Sequence, residues 1–250
     1  MTAEQYIKSL AAEAWKYQKA YKYISFDGGM AMLRNSTVRF TSACALNDEY
    51  DCNAAVLNYD TYREIGISLG MSKEDLERAI QREGEEIAHW GICSLCKTSD
   101  NMTLWNNYAN GNGLCIELDV PKTLNALEKQ GKKTPLLPVD YYDSIEGVVK
   151  RELGISSNDL FRYILIRGMV ASKSKKNATN GWDSEKEDEI RFVLFEKVEI
   201  SAPLDVIIPH DCITGVYYDE LPFKYLRILH QLLSRKYKLV PRKRTQMLIL

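Results

Sequence analysis

Gly181 to Ile200 reads GWDSEKEDEIRFVLFEKVEI, and the rest of the chain is best read against it. From Ile190 the side chains run Ile, Arg, Phe, Val, Leu, Phe, Glu, Lys, Val, Glu, Ile. A run so rich in β-branched and aromatic types predicts a central strand, buried at its start and half-exposed at its end. Five acids precede it: Asp183, Glu185, Glu187, Asp188 and Glu189. Glu187 and Glu189 lie two residues apart at the strand entrance, so both are expected on one side of the sheet. Carboxylates held together there need a cation, a hydrogen-bonding ligand or a proton to offset their repulsion. The plainer reading is a solvated acidic turn that ends a loop.

Outward from this strand, elements of both kinds are predicted. Apolar positions at Tyr6, Ile7, Leu10, Ala14 and Trp15 mark an amphipathic first helix over 3–19. Tyr21–Phe26 reads as a strand closed by the turn Asp27-Gly28-Gly29, with a short helical stretch over 30–34 and a strand over 37–42. Ser72, with Asp75 three residues on, opens a helix that runs to about Trp90. Strands follow over 91–97 and 113–120, and Pro121 and Gly131 bound a short helix. A strand over 136–142, a helix from Ser156 or Ser157 through Met169, a strand over 212–218, a helix over 223–235 and a last strand over 247–250 complete the set. Helices and strands intermix without regular alternation, which favours α+β over a doubly wound sheet. No repeat or long linker divides the 250 residues. The expectation is a single α+β domain over 1–250, a mixed β-sheet core flanked by helices.

Charge is unevenly spread. The chain holds 33 Lys and Arg against 34 Asp and Glu, yet 221–250 carries eight cations and no acid, which leaves −9 on the first 220 residues. The basic end either pairs with the acidic body or faces a polyanion or an acidic partner. The six cysteines sit mostly in apolar contexts and read as buried small side chains in a reducing cytosol. Cys93-x-x-Cys96 stands alone, without a second pair or a nearby His pair, so no metal site is expected. No signal pattern and no membrane-length apolar run is present, so the expected setting is cytoplasmic, with no membrane partner. His89, His210 and His230 share no spacing with one another or with a Ser or Cys nucleophile.

Three further clusters stand out. Tyr21-Lys22-Tyr23 places a cation between two rings, or simply a surface lysine on an edge strand. Arg39-Phe-Thr41-Ser42, followed by Asn47-Asp48, puts hydroxyls at a strand end ahead of an Asn-Asp loop. Those groups suit a ribose or an amide, or are plain turn chemistry. Trp105-Asn-Asn-Tyr108-Ala-Asn-Gly-Asn-Gly113 joins two large aromatics to a flexible turn that leads into a strand. It lacks both GxGxxG and a following Lys-Ser/Thr, so it is weak as a phosphate cradle.

In this order the clusters resemble a bacterial family, the domain of unknown function 2971 family. The residues that carry the resemblance are Lys22-Tyr23, Ser42, Leu46-Asn47-Asp48, Trp105, Tyr108-Ala109, Gly113, Cys115, Glu117, Trp182, Glu187, Glu189 and Arg191. Glu49 stands where the family usually has Pro, and Ile190 where it usually has Trp. A more distant resemblance is to the ADP-ribosyltransferases, which seat NAD with a first-strand Arg or His. They use a Ser or an aromatic at a second strand end and a late-strand Glu for catalysis. Lys22 here replaces that Arg or His.

The resemblance implies an ADP-ribosyltransferase-like fold and a toxin or phage-defence effector that acts on nucleic acid or protein, with a neutralising antitoxin or defence-complex partner. NAD would be the substrate. Glu189 would stabilise the oxocarbenium and Glu187 would serve the acceptor. Lys22, Tyr23, Thr41, Ser42, Asn47, Trp105, Tyr108 and Arg191 would bind or orient NAD. Two rivals stay open: a Mg²⁺-dependent nuclease using Asp48, Glu187 and Glu189, and a nucleotide-binding sensor module without turnover. Transfer as drawn requires Lys22, Ser42, Asn47, Trp105 or Tyr108, and Glu189 in one concave site. Glu189 on the opposite face of the sheet from Lys22 is incompatible with it.

Overall fold

The computed structural model describes residues 16–46, 67, 70–109, 112–142, 171–173 and 187–243. In chain order these form β1 (Lys19–Ile24), α1 (Phe26–Asn35), β2 (Thr37–Ser42), α2 (Lys73–Ala88), β3 (Trp90–Cys96), α3 (Met102–Asn107), β4 (Leu114–Asp119) and α4 (Val120–Glu128). There follow β5 (Leu136–Pro138), β6 (Asp140–Tyr142), β7 (Ala171–Lys173), β8 (Glu189–Lys197), β9 (Leu204–Ile207), β10 (Ile213–Tyr218), α5 (Phe223–Leu232) and β11 (Arg242–Lys243). The expected helices over 3–19 and 156–169 and the strand over 247–250 fall wholly or mostly outside the described residues. The fold is α+β with a mixed, mainly antiparallel sheet ordered β11-β10-β4-β1-β3-β2-β9.

β3 is the pivot of that sheet. Along one edge it pairs with β8 over its whole length, from Trp90 opposite Lys197 to Cys96 opposite Glu189. Its other edge is shared: β1 meets it at Cys96, through Tyr21, and β2 meets it at Gly91 and Ile92. Between those contacts β1 and β2 part, and the sheet forks. β5 extends the β8 side, with Leu137 opposite Arg191.

Directly paired residues share a face, and neighbours along a strand alternate. One face therefore carries Ala20, Lys22, Phe40, Cys93, Leu95, Ile116, Ile190 and Phe192. Apart from Lys22, these belong to the main core, which α1, α4 and α5 help to cover. The other face carries Tyr21, Tyr23, Ser94, Cys96, Cys115, Glu117, Glu189, Arg191 and Tyr217. Alongside these polar groups it holds a small apolar cluster around Trp105 and, by the same register, the buried Ile92, Leu137 and Val193.

Most local expectations hold. β2 spans 37–42 as predicted. Ser72 and Asp75 bond reciprocally at the start of α2, the Asp75 amide donating to Ser72 Oγ over 3.1 Å. Asp119 caps α4, whose first turn contains Pro121, and Gly131 lies beyond its end with φ 75°. One turn was misread. Gly28 and Gly29 lie inside α1, because Ser25 Oγ accepts the Gly28 amide and starts the helix early. A Cβ at Gly29 would stand 2.8 Å from Leu114 Cδ1, so the small residue serves helix–sheet packing. The predicted strand over 136–142 is two, because β5 pairs with β8 whereas β6 pairs with β7 in a separate two-stranded sheet.

Candidate functional site

The strand opening at Glu189 brings buried charge onto the polar face. Arg191, two positions on, grips its carboxylate through both oxygens, Nε to Oε1 at 2.7 Å and Nη2 to Oε2 at 2.8 Å. Arg191 is 1 % exposed and Glu189 8 %, so the pair survives only because it is bidentate. Tyr141, on the short β6, sets its hydroxyl 3.2 Å from the Glu189 backbone nitrogen, which donates to it. Burial, then the charges of Glu189 and Glu187, push the Tyr141 phenol well above its ordinary value of 10.0, so it keeps its proton. Two acids, a phenol and a guanidinium thus meet at one end of β8.

Glu187 reaches this cluster by a different route from the one predicted. It sits in a helical turn, and Asp188 follows in the left-handed region at φ 51°, so strand alternation does not relate Glu187 to Glu189. The turn is held by its backbone. The Glu187 carbonyl accepts Asn101 Nδ2 at 3.0 Å and Cys96 Sγ at 3.3 Å. Lys97 closes the other side with an ion pair to Asp188. The side chain of Glu187 is buried.

The remaining predicted ligands disperse. Lys22 lies on the core face, opposite in orientation to Glu189. Its Nζ donates to the Ser94 carbonyl over 2.8 Å. That carbonyl lies in the fork, where neither β1 nor β2 pairs with β3, and Lys22 supplies the missing donor. A cavity of about 70 Å³ opens beside it, lined among others by Cys93, Leu95, Met32 and Arg39. Ser42 is also on the core face, where its hydroxyl donates to the Ala88 carbonyl at the end of α2 over 2.7 Å. Tyr23 shares the polar face with Glu189 but is spoken for. Its hydroxyl donates to the Thr98 carbonyl and accepts the Asn101 amide, and its ring meets Trp105 edge-on at 5.3 Å. Trp105 is 1 % exposed and donates Nε1 to the Ser99 carbonyl. These rings are core, not a shelf for a base.

Thr41 does share the face of Glu189, opposite Ile92. Four residues along β3 separate Ile92 from Cys96, so Thr41 stands roughly 13 Å from the acidic end. Tyr108 ends α3 and is 40 % exposed. Asn47, Asp48 and Trp182 lie outside the described residues. The expected single concave site with Lys22, Ser42, Asn47, Trp105 or Tyr108, and Glu189 is therefore corrected: register puts Lys22 and Ser42 on the face opposite Glu189, and burial takes Trp105 out of reach of a ligand.

A third buried carboxylate, on the polar face, was named in the sequence reading but given no role there. Glu117 is 1 % exposed. It takes Lys19 Nζ at 2.9 Å, Thr214 Oγ1 at 2.7 Å and the Tyr217 hydroxyl at 2.8 Å. Burial alone would raise its pKa, but these donors together outweigh burial and hold it below the ordinary 4.5. Burial, then the charge of Glu117, raises the neighbouring Tyr21 phenol. The only sequence signal was the Gly-x-Cys-x-Glu spacing, which says nothing of the three donors.

Two tests follow from these assignments. Since the folded pKa of Glu117 lies below its unfolded value, its contribution is complete above about pH 4.5 and is lost as pH falls through the lowered value. Replacing it by Gln should flatten the acid limb of a plot of urea midpoint against pH, and an unchanged limb would refute the assignment. Lys22→Met should cost about 1–3 kcal/mol, the usual penalty for stranding a buried carbonyl. A variant that melts like the wild type would remove Lys22 from this role.

No protein-family model matches the chain, and no curated protein matches it. Among the described residues, no helix is long and apolar enough to cross a membrane, and no group of three or more His, Cys, Asp and Glu could hold a metal ion.

Proposed function

We propose that the polar face binds a ribose-bearing nucleotide at its Glu187–Glu189–Tyr141 end and holds it without turnover. The convergence of two buried acids on a protonated phenol supports this reading: it offers acceptors and a donor of the kind that take ribose hydroxyls. The order of motifs that resembles NAD-using folds makes NAD the ligand to try first. Two observations favour binding over catalysis. Neither first-strand cation serves Glu189, since Lys22 faces the core and Lys19, on the polar face, pairs with Glu117. Both oxygens of Glu189 are already engaged by Arg191.

ADP-ribosyl transfer, with its ADP-ribosyltransferase-like fold and a nucleic-acid or protein acceptor, is a second reading only in a form without Lys22. One observation favours it: a carboxylate locked in place by a buried guanidinium is a preorganised charge suited to an oxocarbenium. The glycosidic C–N bond of NAD would break with nicotinamide leaving. The acceptor would then bond to the anomeric carbon and lose its proton to Glu187.

Titration calorimetry with NAD and a nicotinamide-release assay on the same protein separate the two. The expected result is binding that weakens in Tyr141→Phe and Glu189→Gln, with no nicotinamide released. Release that falls by about a hundredfold or more in Glu189→Gln selects the transferase. Neither binding nor release overturns both readings.

A further inference from the structure

The carboxy-terminal helix carries a surface that the polar face does not use. Leu229 and Leu233 turn α5 toward the core. α5 runs on into a π-helical turn, Leu233–Tyr237, that holds Arg235; at about 100° per residue in the α-helix and somewhat less in that turn, Lys224, Arg227, Gln231 and Arg235 fall within roughly an 80° arc on the far side. All four are exposed. Among the described residues, Lys224, Arg227 and Arg235 have no ion pair, no hydrogen bond and no ring contact. No acid occurs between Leu221 and Lys243; Asp219 and Glu220 stop short of the helix. Two other cations of this end are occupied. Lys236 donates to the Leu33 and Arg34 carbonyls that end α1, and Arg242 bonds the Tyr217 hydroxyl and stacks over its ring. The basic end thus holds both structural cations and a stripe that, among the described residues, pairs with no acid of the body.

An aromatic side chain flanks that stripe. Phe223, one turn before Arg227, is 80 % exposed, the most exposed large apolar residue described. Beside it, Tyr225 is 39 % exposed and stacks on Phe26 at 4.5 Å. A bare phenylalanine next to unneutralised cations costs solvation and gains no packing within the chain.

We infer that the outer face of α5 binds single-stranded nucleic acid, with Lys224, Arg227 and Arg235 on successive phosphates and Phe223 under an unpaired base. The stripe from 224 to 235 is about 16 Å long at 1.5 Å per residue, enough for a few nucleotides of an extended strand. Cations that track a backbone beside an aromatic platform are the elements of sequence-tolerant single-strand binding, and duplex DNA would leave Phe223 without a partner. The inference stands apart from the reading of the Glu189 end and survives its failure.

Fluorescence anisotropy with short labelled oligouridylate and oligodeoxythymidylate tests it. Both should bind, and the stronger of the two names the natural polymer. Three phosphate contacts predict a log–log salt slope of about −2. Combined Lys224→Glu, Arg227→Glu and Arg235→Glu should weaken binding about tenfold or more and flatten that slope. Phe223→Ala should weaken it about fivefold or more with the slope unchanged. These residues are exposed, so wild-type melting curves are expected and confirm that the variants are folded. The inference is overturned if neither strand binds, if the triple variant binds as the wild type does, or if Phe223→Ala has no effect. It is equally overturned if polyglutamate or vesicles rich in anionic lipid bind as tightly as the oligonucleotides, since the surface would then be one for acidic proteins or membranes.

Discussion

Arg191→Met is expected to destabilise the protein by about 3–5 kcal/mol at neutral pH, the cost of leaving one partner of a buried ion pair without the other. The guanidinium is 1 % exposed and makes both bonds to Glu189. Its loss strands a carboxylate between Glu187 and Tyr141 in a site that water reaches poorly. Met keeps most of the side-chain volume, so a cavity does not account for the loss. The double variant with Glu189→Gln removes the stranded charge and should recover much of the stability. Urea unfolding of the wild type, both single variants and the double variant gives the coupling directly. A loss below about 1 kcal/mol for Arg191→Met, as for a surface pair, would show that the pair is solvated.

Gly113→Ala is expected to cost about 3 kcal/mol, at the upper end for an overpacked site. A Cβ there would stand 2.4 Å from the Ile24 carbonyl oxygen and 2.6 Å from both the Ala109 Cα and the Ala109 carbonyl oxygen. These are backbone atoms, so no rotamer change relieves the clash. Gly113 lies directly against the end of β1, and only a residue without a side chain permits that approach. Gly131→Ala is the control. It has φ 75° but nothing within 4 Å, so it carries conformational strain alone, about 1 kcal/mol. Equal thermal shifts for the two variants would mean that crowding at Gly113 is relieved by moving the turn.

What could be read along the chain was what local chemistry decides. The β-branched run after Glu189 did become the central strand, and Ser72, Asp119 with Pro121, and Gly131 did mark helix ends, because such signals act within a few residues. The acids singled out at the start of β8, Glu187 and Glu189, are buried, and the charge imbalance of the last thirty residues is plain in the sequence. Cys93 and Cys96 do face opposite sides of β3, since alternation needs no partner strand. Tyr141 and Glu117 could not be recognised, because their importance lies in partners 48 and 97 positions away.

The facing of β1 relative to β8 was of another kind. A one-residue shift in pairing exchanges every side chain between faces, so Lys22 and Glu189 could share a site or be divided with no change in either local pattern. Tyr21 opposite Cys96, and Cys96 opposite Glu189, settle the matter through two strand pairings. Local propensity and charge spacing determined which segments are strands and helices, where the acids gather and which helix is basic. Arg191, two residues beyond Glu189 on the same strand, shares its face by alternation alone. Only the tertiary structure decided that β1 and β2 part along β3, that Lys22 fills that fork, and that Tyr141 stands beside Glu189. Those outcomes depend on hydrogen-bond register between strands far apart in sequence, and no run of neighbouring residues encodes it.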